Sequence, residues 1–227
     1  MRNTYEKLMI VTALLIGTAF GLAVGQVKAD AIPDTVLEQV TSNVYQIKHP
    51  RYSGTGTWIT PTLMLTNCHV AGEDRDVLFK ANSFDKTQYY HLHMVLCDKE
   101  NDLGILESDT PNITFLPSTL AAEPVPFGKD VFSAGYGYGV DLSLKAGIAG
   151  LPYTKATDDY RRAMTLPTAG PGDSGSPVYN KAGQIVGILN SGIPGSGGKA
   201  FYIRLEVVRN YLSNLLSKVA RAKGTGQ

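Results

Sequence analysis

The chain has 227 residues, a formal net charge of +1 at pH 7 and 18% charged residues, with no long block of one sign. That excludes a strongly basic nucleic-acid surface and an acidic, solvating tail. A hydrophobic content of 43%, with 24 glycines and 12 prolines, describes a turn-rich globular protein with enough chain for one large domain or two small ones.

The first thirty residues are a different material. Arg2 and Lys7 precede an apolar stretch from Leu8 to Val27, and Ala29-Asp30-Ala31 then puts small residues where a signal peptidase reads. Residues 1–31 read as an export signal. The rival reading is an uncleaved anchor: about 20 apolar residues suffice to cross a bilayer as a helix. Gly17, Gly21 and Gly25 also carry the four-residue spacing of closely packed membrane helices. Both readings put the remainder outside the cytoplasm, either periplasmic or secreted, or attached to a membrane through residues 8–27.

Beyond this segment, short β-rich runs alternate with turn signals. Expected strands are 44–48, 56–60, 63–66, 77–80, 91–96 and 103–107. Residues 108–127, with Pro111, Pro117, Pro124 and Pro126, read as a connection between two halves. A second set of strands follows at 130–134, around 146–148, 176–179 and 184–189, with Asn180-Lys181-Ala182-Gly183 as a hairpin turn. Only the end is convincingly helical: Val207, Val208, Tyr211, Leu212, Leu215, Leu216 and Val219 form one apolar stripe from 206 to 219. Many short strands at this spacing mean an all-β body, a barrel or a sandwich.

Cys68 and Cys97 are the two cysteines of the exported body, so they form either one disulfide or two buried thiols. His91 and His93 alternate along one strand without a matching carboxylate–histidine pattern, which favours a sheet face over a metal site.

The chemistry concentrates at Gly172-Asp173-Ser174-Gly175-Ser176-Pro177. A serine hydroxyl is a weak nucleophile at neutral pH and needs a base within hydrogen-bond reach, an orienting group behind it, and donors aimed at the oxyanion formed on attack. Glycines on both sides let the backbone turn sharply and expose amide N–H groups. A bare Gly-x-Ser-Gly is also an ordinary turn, whereas the longer run leading into an apolar strand is far more specific.

That run resembles the nucleophile loop of the trypsin-like, chymotrypsin-fold serine peptidases. Thr66-Asn67-Cys68-His69-Val70 resembles their histidine segment, and Asn101-Asp102-Leu103-Gly104-Ile105-Leu106 their aspartate segment, in the order His, Asp, Ser. The resemblance implies two antiparallel β-barrels, about 36–115 and 125–205, with the site in the cleft between them and the helix packed outside. It implies a serine endopeptidase acting on polypeptides without a metal or organic cofactor. His69 is its base, Asp102 the orienting acid and Ser174 the nucleophile, with the backbone N–H groups of Gly172 and Ser174 as the oxyanion hole. Asp98 is the runner-up for the acid, and Asp109 follows the same strand. Thr168 falls where the base of the primary pocket is expected, arguing against an Arg/Lys preference, and Asn190-Ser191-Gly192 at the strand edge that pairs with substrate. The loop 193–198 falls beside that pocket.

The chain departs from the family pattern in that no Ile-Val-Gly-Gly type start precedes the first barrel. In relatives activated by proteolysis the acid matching Asp173 pairs with a newly made N-terminus; here its partner is open. The resemblance is to the bacterial branch, HtrA-like and glutamyl-endopeptidase-like. Gly198-Lys199-Ala200-Phe201-Tyr202-Ile203 is similar to HtrA proteases, while the residues after Arg204 suffice for the helix and a tail but not for a PDZ domain. The competing class is a catalytically silent relative that binds peptides or partners in the same cleft, and an esterase on this fold is a third reading.

Overall fold

Two β-rich halves and a terminal helix fold from residues 32–227, which a computed structural model describes except at 50–52, 73–78, 153–160, 166–168, 194, 195, 197 and 225–227. Residues 1–31 lie outside the described residues, and with them the choice between export signal and anchor. Among the described residues no helix is long and apolar enough to cross a membrane.

The first half holds β1 (Val44–Lys48), β2 (Ser53–Trp58), β3 (Leu63–Thr66), β4 (Phe79–Asn82), β5 (Tyr89–Asp98) and β6 (Leu103–Ser108). They close into a barrel in the order β1-β2-β3-β6-β5-β4. Alternation along β5 shows why: Tyr90, Leu92 and Met94 are buried, while Tyr89 and His91 are exposed and His93 is half-exposed. The inward residues pack with Trp58, Met64 and Phe79 in one apolar core. Each such side chain, fully buried, contributes about 1.5–3 kcal/mol.

The second half repeats the design with β7 (Asp130–Gly135), β8 (Ser143–Pro152), β9 (Arg161–Thr165), β10 (Pro177–Tyr179), β11 (Ile185–Gly192) and β12 (Lys199–Arg204). They close as β10-β11-β12-β9-β8-β7. The expected hairpin joins β10 to β11: Asn180 exchanges backbone hydrogen bonds with Gln184 and Gly183, and Gly183 takes φ +75. The fold is therefore the two-barrel, chymotrypsin-like one.

Several elements lie outside the sequence reading, β12 and a first helix among them. Helix α1 (Asp34–Asn43) precedes the first barrel. It is one ten-residue helix whose buried Val36 and Val40, a turn apart, join a core shared by both barrels. Asp34 in its first turn suits the helix dipole. Strand β9 closes the second barrel between β12 and β8, although it opens with two arginines.

The connection 108–127 is held at several points. Asn43 accepts from Leu116 N through its side-chain oxygen and donates to the Leu116 carbonyl. Ala121 N donates to Ile185 O at 2.9 Å. Helix α2 (Cys68–Ala71) is a single turn after β3, and helix α3 (Leu205–Gly224) is the terminal one, running slightly beyond the expected range. Its Val208, Tyr211 and Leu215 enter the shared core with Leu65 and Ile105 from the first barrel and Ile188 and Ile203 from the second. From the same helix, Arg209 donates to the carbonyls of Ala121 and Ala122.

Candidate active site

Strand β3 delivers Thr66 and Asn67 and then turns into α2, which presents His69 at the surface. Two hydrogen bonds join this turn to the residue just before β6: Cys68 N and the Asn67 side-chain amide both donate to the carbonyl of Asp102 at 3.1 Å. The Cys68 and Cys97 sulfurs are bonded, which links the same turn to the end of β5. Asp102 takes φ +53, a conformation rare outside glycine. Held so, its carboxylate accepts from His69 N at 2.9 Å through Oδ1 and meets His69 Nδ1 at 2.7 Å through Oδ2. With Nδ1–H bonded to the carboxylate, a neutral imidazole leaves Nε2 as the proton acceptor. The imidazole is half-exposed, while Asp102 is largely covered.

Asp98 has other work. It accepts from Glu100 N, Asn101 N and the Asn101 side-chain amide, closing the turn that leads to Asp102.

The loop of Ser174 is shaped by glycine and sutured to the first barrel. Gly172 and Gly175 take φ +99 and +88. Thr55, buried on β2, donates its N–H to Ser174 O and its hydroxyl to Gly172 O, both at 2.8 Å, and accepts from Tyr136 N at 3.1 Å. A Cβ at Gly175 would collide with the Thr55 carbonyl, which already accepts from the Thr66 hydroxyl at 2.7 Å. The N–H groups of Gly172 and Ser174 have no hydrogen-bond acceptor among the described residues. The Ser174 hydroxyl donates to the carbonyl of Asn190 at 3.1 Å; no hydrogen bond joins it to His69 among the described residues.

Asn190 enters the site in a way its sequence position did not suggest. Leu189 pairs with Tyr202 and Ser191 with Phe201, so Asn190 is the extra residue of a β-bulge between β11 and β12. A bulge re-aims a side chain, and here the Asn190 amide donates to Asp102 Oδ2, beside His69. Its carbonyl faces the serine, while Ser191 and Gly192 continue the strand. Gly192 lies beside Ala169; Thr168 lies outside the described residues.

The structure thus brings His69, Asp102, Ser174 and Asn190 together at the junction of the barrels. Thr55 was missed by sequence reasoning, the available signal being the alternating Gly54-Thr55-Gly56-Thr57 of β2. His91 and His93 stand on the outer face of β5, with His93 Nε2 3.6 Å from Glu107. Among the described residues, no group of three or more His, Cys, Asp or Glu side chains is placed to hold a metal.

Comparison with known proteins fits this geometry. Residues 54–188 match the trypsin-like peptidase domain, more than half of the chain. The chain belongs to the trypsin-like peptidase family. Among curated members, the "Probable periplasmic serine endoprotease DegP-like" of Halomonas elongata is 27% identical over 167 residues, 71% of this chain and 34% of the relative. "Protease Do-like 1, chloroplastic" of Arabidopsis thaliana is 28% identical over 188 residues, 76% of this chain and 42% of the relative. This trypsin-like peptidase chain therefore spans about a third to two fifths of the length of those relatives. Two solved structures share its fold. The Rv3671c protease from M. tuberculosis in its active form has a TM-score of 0.64 at 23% identity, covering 80% of this chain and 84% of the other. The HtrA-type protease AlgW with tripeptide has a TM-score of 0.69 at 20% identity, covering 80% and 62%.

Proposed function

We propose that the chain is an exported serine endopeptidase that hydrolyses peptide bonds through an acyl-enzyme intermediate on Ser174. The observation that carries this reading is the convergence of the His69–Asp102 pair, at 2.7 Å, with a serine whose own N–H and that of Gly172 have no acceptor among the described residues. Asp102 fixes the imidazole tautomer, so that Nε2 takes the Ser174 proton as the oxygen attacks the substrate carbonyl. The tetrahedral oxyanion is received by the N–H groups of Gly172 and Ser174, and the proton on Nε2 passes to the leaving amine. Water, activated by the same imidazole, then releases the acyl group.

Substrate has a part in freeing the nucleophile. An extended peptide pairing with the Asn190–Gly192 segment brings an N–H to the Asn190 carbonyl, the acceptor that the serine hydroxyl uses in this structure. Displaced from it, the hydroxyl turns to Nε2. Export is supported by the periplasmic assignment in the name of the Halomonas relative and by the signal-like residues 1–31. A peptide substrate is supported by the tripeptide bound to AlgW.

The test is a peptide-library cleavage profile on the purified protein and on Ser174→Ala. Cleavage that disappears in the variant is expected. Cleavage that survives it, or turnover of activated esters alone, contradicts the endopeptidase reading. Strong cleavage after Arg or Lys overturns the assignment of Thr168 to the pocket base.

A further inference from the structure

A buried ion pair lies directly behind the nucleophile. The Asp173 side chain is 2% exposed and that of Lys145, on β8, 6%; Lys145 Nζ stands 2.7 Å from Asp173 Oδ1. The ammonium also donates to Ser143 Oγ at 2.7 Å and to the Gly135 carbonyl at 3.4 Å, so its three protons all have acceptors. The other carboxylate oxygen accepts from Gly170 N at 2.9 Å, and Asp173 N donates back to Gly170 O at 3.1 Å. Room for the carboxylate comes from Gly135, the last residue of β7, and Gly137 just beyond it, since a Cβ at either would press on it.

We propose that Lys145 is a positioning residue for the oxyanion hole: its ammonium, by holding the Asp173 carboxylate inside the second barrel, keeps the Pro171–Gly172 and Asp173–Ser174 peptide groups in working orientation. The inference rests on the peptidase reading above. Its physical content is a cost and a linkage. A carboxylate buried without a counter-charge is strongly disfavoured, and the cheapest escape is to swing out to water. Asp173 cannot do that with its backbone fixed. Its Gly170 contacts close the turn 170–173 that orients the Gly172 N–H, and the Ser174 N–H belongs to its own following peptide. Releasing the side chain therefore disturbs both donors at once. Because the cation comes from a barrel strand 28 residues away in sequence, loop order does not depend on a chain terminus reaching Asp173.

Kinetics on Lys145→Met, Asp173→Asn and the double variant, with a fluorophosphonate probe and a cleaved library peptide, test this. Each single variant is expected to lose roughly 10²- to 10³-fold in labelling rate and kcat, the effect of losing one oxyanion donor, while KM stays close to wild type. The double variant, with no unpaired buried charge, is expected to regain at least about tenfold over either single one, as coupled neighbours do. Asp173→Asn is nearly isosteric and creates no cavity, so it carries the test even where Lys145→Met alone does not fold. Wild-type rates in Asp173→Asn, or a double variant no faster than the singles, overturn the proposal. A wild-type protein inert to both probe and peptides fails earlier, sinking the peptidase reading and this inference with it.

Discussion

Thr55 on the first barrel donates its main-chain N–H to the carbonyl of Ser174 at 2.8 Å, so one barrel grips the other barrel's serine by its own peptide. The Thr55 hydroxyl adds a second grip two residues earlier, on Gly172 O. The Ser174 loop is thereby built by both halves, and its shape depends on their docking.

Thr55→Val keeps the volume and removes the hydroxyl. The buried Gly172 carbonyl and Tyr136 N–H then lose their partner, at a cost of about 1–3 kcal/mol for each group left unpaired. A thermal melt should show that loss, and kcat should fall further than KM changes, because the Gly172 carbonyl belongs to the residue whose N–H is proposed as an oxyanion donor.

The bulge at Asn190 makes a sharper prediction. Asn190→Ala removes a hydrogen bond to a charged acceptor, worth about 1.5–3 kcal/mol, and frees Asp102 to drift from His69. If the bond acts in the transition state, kcat/KM drops about 10- to 100-fold. Asn190→Asp should be worse than the alanine, since it places a second carboxylate against Asp102. Equal kinetics for the two variants would remove Asn190 from the charge arrangement.

Gly175 admits no side chain. Its φ of +88 disfavours any L-residue, and a Cβ there meets the Thr55 carbonyl and the Thr66 hydroxyl. Gly175→Ala should cost about 3 kcal/mol or more from strain and overpacking together, visible as a large fall in the denaturation midpoint with loss of activity.

Alkaline pH offers a test of the shared core. Burial pushes the hydroxyls of Tyr136, Tyr179 and Tyr211 well above their ordinary value of 10.0. The unfolded chain ionises first, so the contribution of these groups to stability is complete below pH 10 and is lost as pH rises from there towards their folded values. Each titrating tyrosine removes about 1.4 kcal/mol per pH unit in that window. Denaturant melts above pH 10 should show the decline, and a Phe in place of any one of the three should make it shallower.

Much of the fold was legible because alternation is a local property. Strands β1 and β3 fall where their residues place them, β6 and β7 within one residue and β5 within two. What escaped was set by partners elsewhere. Helix α1 carries a single buried valine pair on ten residues, too little periodicity to stand out until the shared core covers it. Strand β9 begins Arg161-Arg162 and is a strand because β8 and β12 pair with it. In the site, residue types and their order could be read, since His69, Asp102 and Ser174 stand in recognisable runs. Asn190 could not be placed on Asp102, because a bulge leaves no mark on alternation. Nor could Lys145 be matched to Asp173, a contact made by the closing of a barrel.

The most direct test of the central claim is mass mapping of a fluorophosphonate adduct on the purified protein. The adduct is expected on Ser174, and it should be abolished by Ser174→Ala and strongly slowed by His69→Ala. No adduct on the wild-type protein, or one that persists in Ser174→Ala, would contradict the assignment of Ser174 as the nucleophile.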